Sequence, residues 1–136
     1  MRDINAYFTF NGNCAEAMSF YQKCLGGDLV TMKFSEAPQP PPPGAENRLM
    51  HARLTNGGGV VMASDCPPGM PFSQGNSVWT AINFSSKEEM DKAWDAFSAK
   101  GKTVMAPHDA FWGAYFAMLT DQFGVNWMFS YAKNPQ

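Results

Sequence analysis

The chain has 136 residues, 45% of them hydrophobic and 16% charged, a balance that suits one globular domain with a sizeable core and excludes disordered and collagen-like classes. Its formal net charge is -2 and no run of Lys or Arg occurs, so the electrostatic footprint of nucleic-acid binding is missing. No apolar run approaches the roughly 20 residues of a membrane span and no charged-then-apolar leader opens the chain, so a soluble, cytoplasmic protein is expected, with neither nucleic acid nor membrane as partner. Cys14, Cys24 and Cys66 are odd in number and form no C-x-x-C pair. On one helix, Cys14 and Cys24 would lie roughly 15 Å apart, beyond disulfide reach, and all three read as reduced packing thiols. The 10 methionines and 14% aromatic residues suit a pocket for a small apolar molecule and a Met-rich core equally.

From Ile4 to Phe10 the side chains alternate, with Phe8 and Phe10 on one side and Asn5, Tyr7 and Thr9 on the other, which predicts a first strand. Asn11-Gly12-Asn13 breaks it. Asn13 is placed as an N-cap, Glu16 as its capping-box carboxylate, and Ala17, Phe20, Tyr21, Cys24 and Leu25 as an apolar stripe, so a helix is expected over 13–25, stopped by Gly26-Gly27. Leu29 to Phe34 reads as a second strand. Pro38 and Pro40 to Pro43 cannot donate ladder hydrogen bonds and make a flap or edge loop. Strands over Arg48 to Thr55 and Val60 to Ser64 flank Asn56-Gly57-Gly58-Gly59, a hairpin signal. These glycines join strand to strand, so they are not a phosphate loop, which requires a helix N-terminus.

Cys66 to Pro71 is a second rigid loop. Ser77 to Phe84 reads as a strand with Trp79, Ala81 and Asn83 on one face and Thr80, Ile82 and Phe84 on the other. Ser86 and Glu89 repeat the capping box, and Met90, Ala93, Trp94 and Phe97 repeat the helical stripe up to Gly101. A short strand over Thr103 to Ala106, a loop over Pro107 to Gly113 and a hairpin of Tyr115 to Leu119 with Val125 to Tyr131 complete the chain. In the last strand Val125, Trp127, Phe129 and Tyr131 face one way and Asn126, Met128 and Ser130 the other.

The order strand, helix, strand, strand, strand occurs twice. Tyr7-Phe-Thr-Phe10 answers Ala81-Ile-Asn-Phe84 at an offset of 74, and Leu54 to Val60 answers Leu119 to Val125 at an offset of 65. The fold expected is α+β: two βαβββ modules, about 1–70 and 75–136, forming a half-barrel with the helices outside, within a single domain over 1–136. The helices cover the side carrying Phe8, Phe10, Ile82, Phe84, Val125, Trp127 and Phe129. The other side, with Asn5, Tyr7, Thr9, Val61, Ala63, Trp79, Ala81, Asn83, Asn126, Met128 and Ser130, is expected to line a cavity. A one-residue bulge in any strand inverts its assignment.

The duplicated unit, Asn11-Gly-Asn13, His51-Ala-Arg-Leu54, Met62-Ala-Ser-Asp65, Phe111-Trp-Gly113 and Thr120-Asp-Gln-Phe-Gly-Val-Asn-Trp-Met128 together resemble the PhnB-like branch of the vicinal oxygen chelate superfamily, the glyoxalase and bleomycin-resistance fold. The resemblance spans nearly the whole chain. It implies a two-fold homodimer. It also implies a divalent metal held by four side chains, one near the start of the first strand and one on the last strand of each module. Carried over by the two offsets, those positions are Asn5, Ala63, Trp79 and Met128, none of them an imidazole, thiolate or carboxylate. No metal and no other cofactor is therefore expected.

Among the ionisable residues, His51 and Arg53 share one strand face and form either a polar corner for an anionic ligand or a solvated edge. His108, on the predicted loop before Phe111-Trp112-Gly113, is an acid or base over a pocket mouth or plain surface. Asp65 and Asp121 sit at strand ends, where side-chain to backbone bonding in turns is the default. The preferred reading is a metal-free protein binding a small, planar or apolar molecule through Asn5, Tyr7, Trp79, Trp112, Asn126 and Met128. His51, Arg53 and His108 are its further polar contacts. The alternative is a lyase, isomerase or dioxygenase with a metal at displaced positions such as His51, His108 and a carboxylate, so whether the chain is an enzyme stays open. A pocket filled by its own Trp and Met side chains is the third reading.

Overall fold

Among the described residues eight strands fall into two sheets of four, each backed by one helix. A computed structural model describes residues 1–133 of the chain, in two compact units that divide after Ser73. Unit one runs β1 (Ala6–Phe10), α1 (Cys14–Leu25), β2 (Asp28–Lys33), β3 (Leu49–Asn56) and β4 (Gly59–Asp65), with one 3-10 turn at Phe34–Glu36. Unit two runs β5 (Thr80–Asn83), α2 (Lys87–Ser98), β6 (Lys102–Asp109), β7 (Ala114–Thr120) and β8 (Asn126–Ala132). The sheets have the same topology, β1-β4-β3-β2 and β5-β8-β7-β6, with the outer first strand parallel to the last and the remaining pairs antiparallel. The repeated βαβββ order is thus a repeated fold, α+β as expected.

Each helix buries an apolar face on its sheet. In α1 that face is Cys14, Ala17, Met18 and Tyr21, with Tyr21 edge-on to Phe8 at 6.4 Å between ring centroids. In α2 it is Met90, Ala93 and Phe97, and the Phe97 ring meets Trp127 at 5.6 Å and Phe129 at 5.2 Å, both edge to face. At the start of α2, Ser86 Oγ accepts the Glu89 amide at 3.1 Å, the cap expected from the sequence. Lys87 on the same helix and the Tyr115 hydroxyl from β7 both donate to Asp91, at 2.9 and 3.1 Å. That contact holds the Asp91 carboxyl below, and the Lys87 ammonium above, their ordinary values, while desolvation followed by the Asp91 bond pushes the Tyr115 phenol up.

The expected capping box at α1 does not form, because the Asn13 side chain makes no cap bond. Its place is taken from the far end of the unit: Asp65, buried at the end of β4, accepts the Gly12 and Cys14 amides on Oδ1 at 2.8 and 3.0 Å and the Leu49 amide on Oδ2 at 2.9 Å. In unit two the buried Asp121 closes the β7–β8 turn by accepting the Phe123 and Val125 amides at 2.8 and 3.0 Å, and its second oxygen takes the Trp127 indole at 2.8 Å.

Three further expectations are corrected. Val61 and Ala63 lie beneath α1: Ala63 pairs with Phe8 on one side and Ala52 on the other and is fully buried. The residues of β4 facing the other way are Met62 and Ser64, partners of Tyr7 and Thr9. The reason is turn length, since four residues separate the pair Thr55 and Val60 whereas five separate Thr120 and Asn126. The last strands therefore correspond at an offset of 66, Ala63 with Phe129 and Met62 with Met128. One residue inverts a strand.

Second, β6 continues through Pro107 to Asp109, so His108 is on a strand and not a loop. Proline is tolerated there because β6 is an edge strand and Pro107 falls in the register shift between Met105 and His108. Third, β5 begins at Thr80, leaving Trp79 outside the strand.

Candidate ligand-binding faces

One face of each sheet is left uncovered by its helix. Pairing defines it, since residues directly opposite one another project to the same side. In unit one a row across the sheet runs Tyr7, Met62, Arg53 and Val30, and Met32 with His51 and Thr9 with Ser64 extend it. In unit two the corresponding rows are Ala81, Met128, Met118 and Met105, then Asn83, Ser130, Phe116 and His108.

The two faces differ in chemistry. On unit one the Tyr7 hydroxyl and His51 Nδ1 are 3.2 Å apart, reaching over β4, with Arg53 exposed beside them. On unit two the surface is thioether and aromatic. Trp112, 54% exposed in the β6–β7 turn, stands edge-on to Phe116 at 5.3 Å, and His108 also meets that ring edge-on at 6.3 Å. His108 Nδ1 lies 2.9 Å from the Ala106 carbonyl, which can only accept. Nδ1 therefore carries the proton, and Nε2 of the neutral ring is left as an acceptor.

The sequence-predicted contacts separate accordingly. Tyr7, His51 and Arg53 share the open face of unit one; Met128 and His108 share that of unit two, with Trp112 at its edge. Asn5 precedes β1, exposed, with its amide donating to Asp3 at 3.0 Å. The Trp79 indole donates to the Asn76 carbonyl at 3.0 Å. Asn126 is buried with its amide engaged, accepting from Thr120 at 2.8 Å and donating to the Gly75 and Val78 carbonyls at 3.0 and 3.2 Å, which ties the segment before β5 to β8. Sequence reading missed Met62, Ser64, Met105, Phe116 and Met118. The signal for the last two was the antiparallel register of the closing hairpin, which sets Met118 opposite Met128 and Phe116 opposite Ser130.

The Glyoxalase/Bleomycin resistance protein/Dioxygenase superfamily model matches residues 3–129, nearly all of both units. The chain belongs to that superfamily. Protein YjdN of Escherichia coli is 34% identical over 142 residues, spanning 96% of this chain and 95% of that protein. The crystal structure of protein PA1353 from Pseudomonas aeruginosa superposes with a TM-score of 0.88 at 38% identity, covering 97% of this chain and 98% of that one. A Bacillus cereus structure described as a putative 3-demethylubiquinone-9 3-methyltransferase, PhnB protein, shares the fold at a TM-score of 0.79 and 24% identity, covering 96% of this chain and all of that one.

A divalent metal of the kind expected in this superfamily does not fit the side chains at the carried-over positions. Asn5 and Trp79 lie outside the strands, Ala63 is under α1, and Met128 offers only a thioether. Replacing Ala63 by its true counterpart Met62 adds a second thioether. Among the described residues no group of three or more His, Cys, Asp or Glu side chains gathers to hold an ion. The displaced set is not assembled within either unit, since His51 belongs to the first and His108 to the second. No helix among the described residues is long and apolar enough to cross a membrane.

Proposed function

We propose that this superfamily member binds a small, planar or apolar organic molecule on an open sheet face, without a metal. The observation that supports it best is the unit-two surface, where Met118, Met128 and Phe116 lie side by side on the face that α2 leaves uncovered, with Trp112 and His108 around Phe116. Thioethers and ring faces favour flat, polarisable partners, and His108 Nε2 with Asn83 and Ser130 would orient one. The methyltransferase description of the Bacillus cereus neighbour is not carried over, because a likeness at 24% identity speaks for fold alone and the glycine run Gly57–Gly59 closes a hairpin. A two-fold homodimer in the cytoplasm belongs to the same proposal; sedimentation equilibrium giving a monomer mass at micromolar concentration removes the dimer.

The test is methyl NMR on protein labelled at methionine, titrated with 2-naphthol, indole and quinoline. Met118, Met128 and Met62 report the open faces, and Met18 and Met90, fully buried under the helices, serve as internal references. Saturable shifts at Met118 and Met128 with Met18 and Met90 unmoved are expected, and Met128→Lys should abolish them without unfolding the protein. Metal analysis of protein purified without chelators checks the second half of the proposal. Stoichiometric bound metal, or no open-face shift with any probe at millimolar concentration, overturns it.

A further inference from the structure

We infer that the open face of unit one recognises an oxyanion on an apolar or aromatic body, that is, a small organic acid, with Arg53 as its charge partner. This rests on the face-binding reading above and adds to it the charge of the ligand. Arg53 lies on β3, an interior strand, flanked in its row by Val30 and Met62. Its guanidinium makes no hydrogen bond or ion pair among the described residues, and Asp28, on the same face at the start of β2, does not pair with it.

Arg48 shows the contrast, because it is built into the fold by donating to the Asn11 side chain at 3.0 Å and the Cys66 carbonyl at 2.7 Å. Arg53 has no such duty. Beside it, the Tyr7 hydroxyl and His51 Nδ1 share one hydrogen bond and leave a second donor on that face whichever of them donates: the Nε2 proton if Tyr7 donates, the Tyr7 hydroxyl proton if Nδ1 does. A planar guanidinium presents paired N–H groups matched to a carboxylate or phosphate edge. The half-buried Met62, together with Val30 and Met32, supplies the apolar flank for the body that carries the anion.

The probes are 2-naphthoate, its neutral amide 2-naphthamide, and inorganic phosphate, followed at the Met32 and Met62 methyls. The naphthoate is expected to bind roughly tenfold or more tighter than the amide, the contribution of one charge-assisted hydrogen-bonding group. Arg53→Met should erase that difference, with its melting temperature confirming that the exposed substitution leaves the fold intact, and Arg53→Lys should keep part of it. Equal binding of acid and amide to the unaltered protein, or an acid preference that survives Arg53→Met, overturns the inference while the face-binding reading stands. Phosphate moving the same methyls at equal concentration overturns the need for an organic body. Failure of all probes to move any open-face methyl overturns the inference together with the reading beneath it.

Discussion

Replacing Asp65 by alanine should cost a large share of the stability of the protein, although Asp65 touches no open face. Its carboxylate is 3% exposed and accepts three amides from two separate segments, Gly12 and Cys14 at the start of α1 and Leu49 at the start of β3. Gly12 is exposed, so water replaces the lost oxygen there; Cys14 and Leu49 are buried, and water does not reach them. Each stranded amide costs about 1–3 kcal/mol, and losing a negative charge at a helix N-terminus adds about 0.3–1 kcal/mol, so a loss of roughly 3–6 kcal/mol is expected. Against a total of about 5–15 kcal/mol for a domain, this lowers the melting temperature by roughly 10–20 °C. Asp65→Asn should fall between, because one oxygen can still serve Gly12 and Cys14 while its amide nitrogen meets the Leu49 N–H donor to donor. Urea unfolding followed by circular dichroism and tryptophan fluorescence measures both variants. An alanine variant within about 1 kcal/mol of the parent, the range of ordinary surface changes, refutes the role given to Asp65.

Phe97→Ala removes a fully buried ring that meets Trp127 and Phe129, and should cost about 3–5 kcal/mol in the same assay. Gly27→Ala should destabilise by more than about 1 kcal/mol, since Gly27 has φ +100° and an added Cβ would collide with the Thr55 carbonyl oxygen; a neutral result in thermal melts counts against that turn. Burial, and then the charge of Asp65, push the Cys14 thiol from 9.0 up to about 12. Above pH 9 the unfolded chain sheds this proton and the folded chain keeps it, so stability should fall as pH rises toward 12, by at most about 1.4 kcal/mol per pH unit for this group. Urea titrations across that range should show a shallower decline in Cys14→Ala, and iodoacetamide should label Cys14 last of the three cysteines.

The helices, the glycine-closed hairpin and the duplicated order were legible because each is written in local signals: a 3.6-residue stripe, a cap, a turn. The face of β4 was not. Val60 to Ala63 is apolar in both phases of its alternation, so only the pairing of Ala63 with Phe8 and Ala52 decides which side is buried. Comparing the halves through Gly59 and Gly124 carried the error across, because the second turn has one more residue. His108 was misplaced by giving Pro107 its usual weight as a strand breaker, which an edge strand relaxes. Asp65 as the cap of α1 lay beyond local reading, since the amides it accepts there are 51 and 53 residues away in sequence. For Asn126 the alternation gave a direction but not the engagement of its amide, which depends on where the segment before β5 passes.

With the register settled, the two units act as controls for each other. Positions facing the helices stay apolar at matching places: Phe8 and Ile82, Ala52 and Ala117, Leu54 and Leu119, Ala63 and Phe129. On the open faces the matching places diverge in kind, Tyr7 against Ala81, Arg53 against Met118, His51 against Phe116, while Met62 and Met128 agree. Packing constrains the first set, because a polar group under a helix would be buried without a partner. The helix of its own unit does not pack on the second set, and a surface with no task would be expected to carry ordinary solvated polarity in both halves. One half instead keeps Phe116, Met118 and Met128 together, and the other keeps, among Val30, Met62 and Tyr7, a guanidinium with no partner among the described residues. That opposite specialisation on an otherwise repeated scaffold is the physical ground for looking for ligands on these two faces and not among the loops.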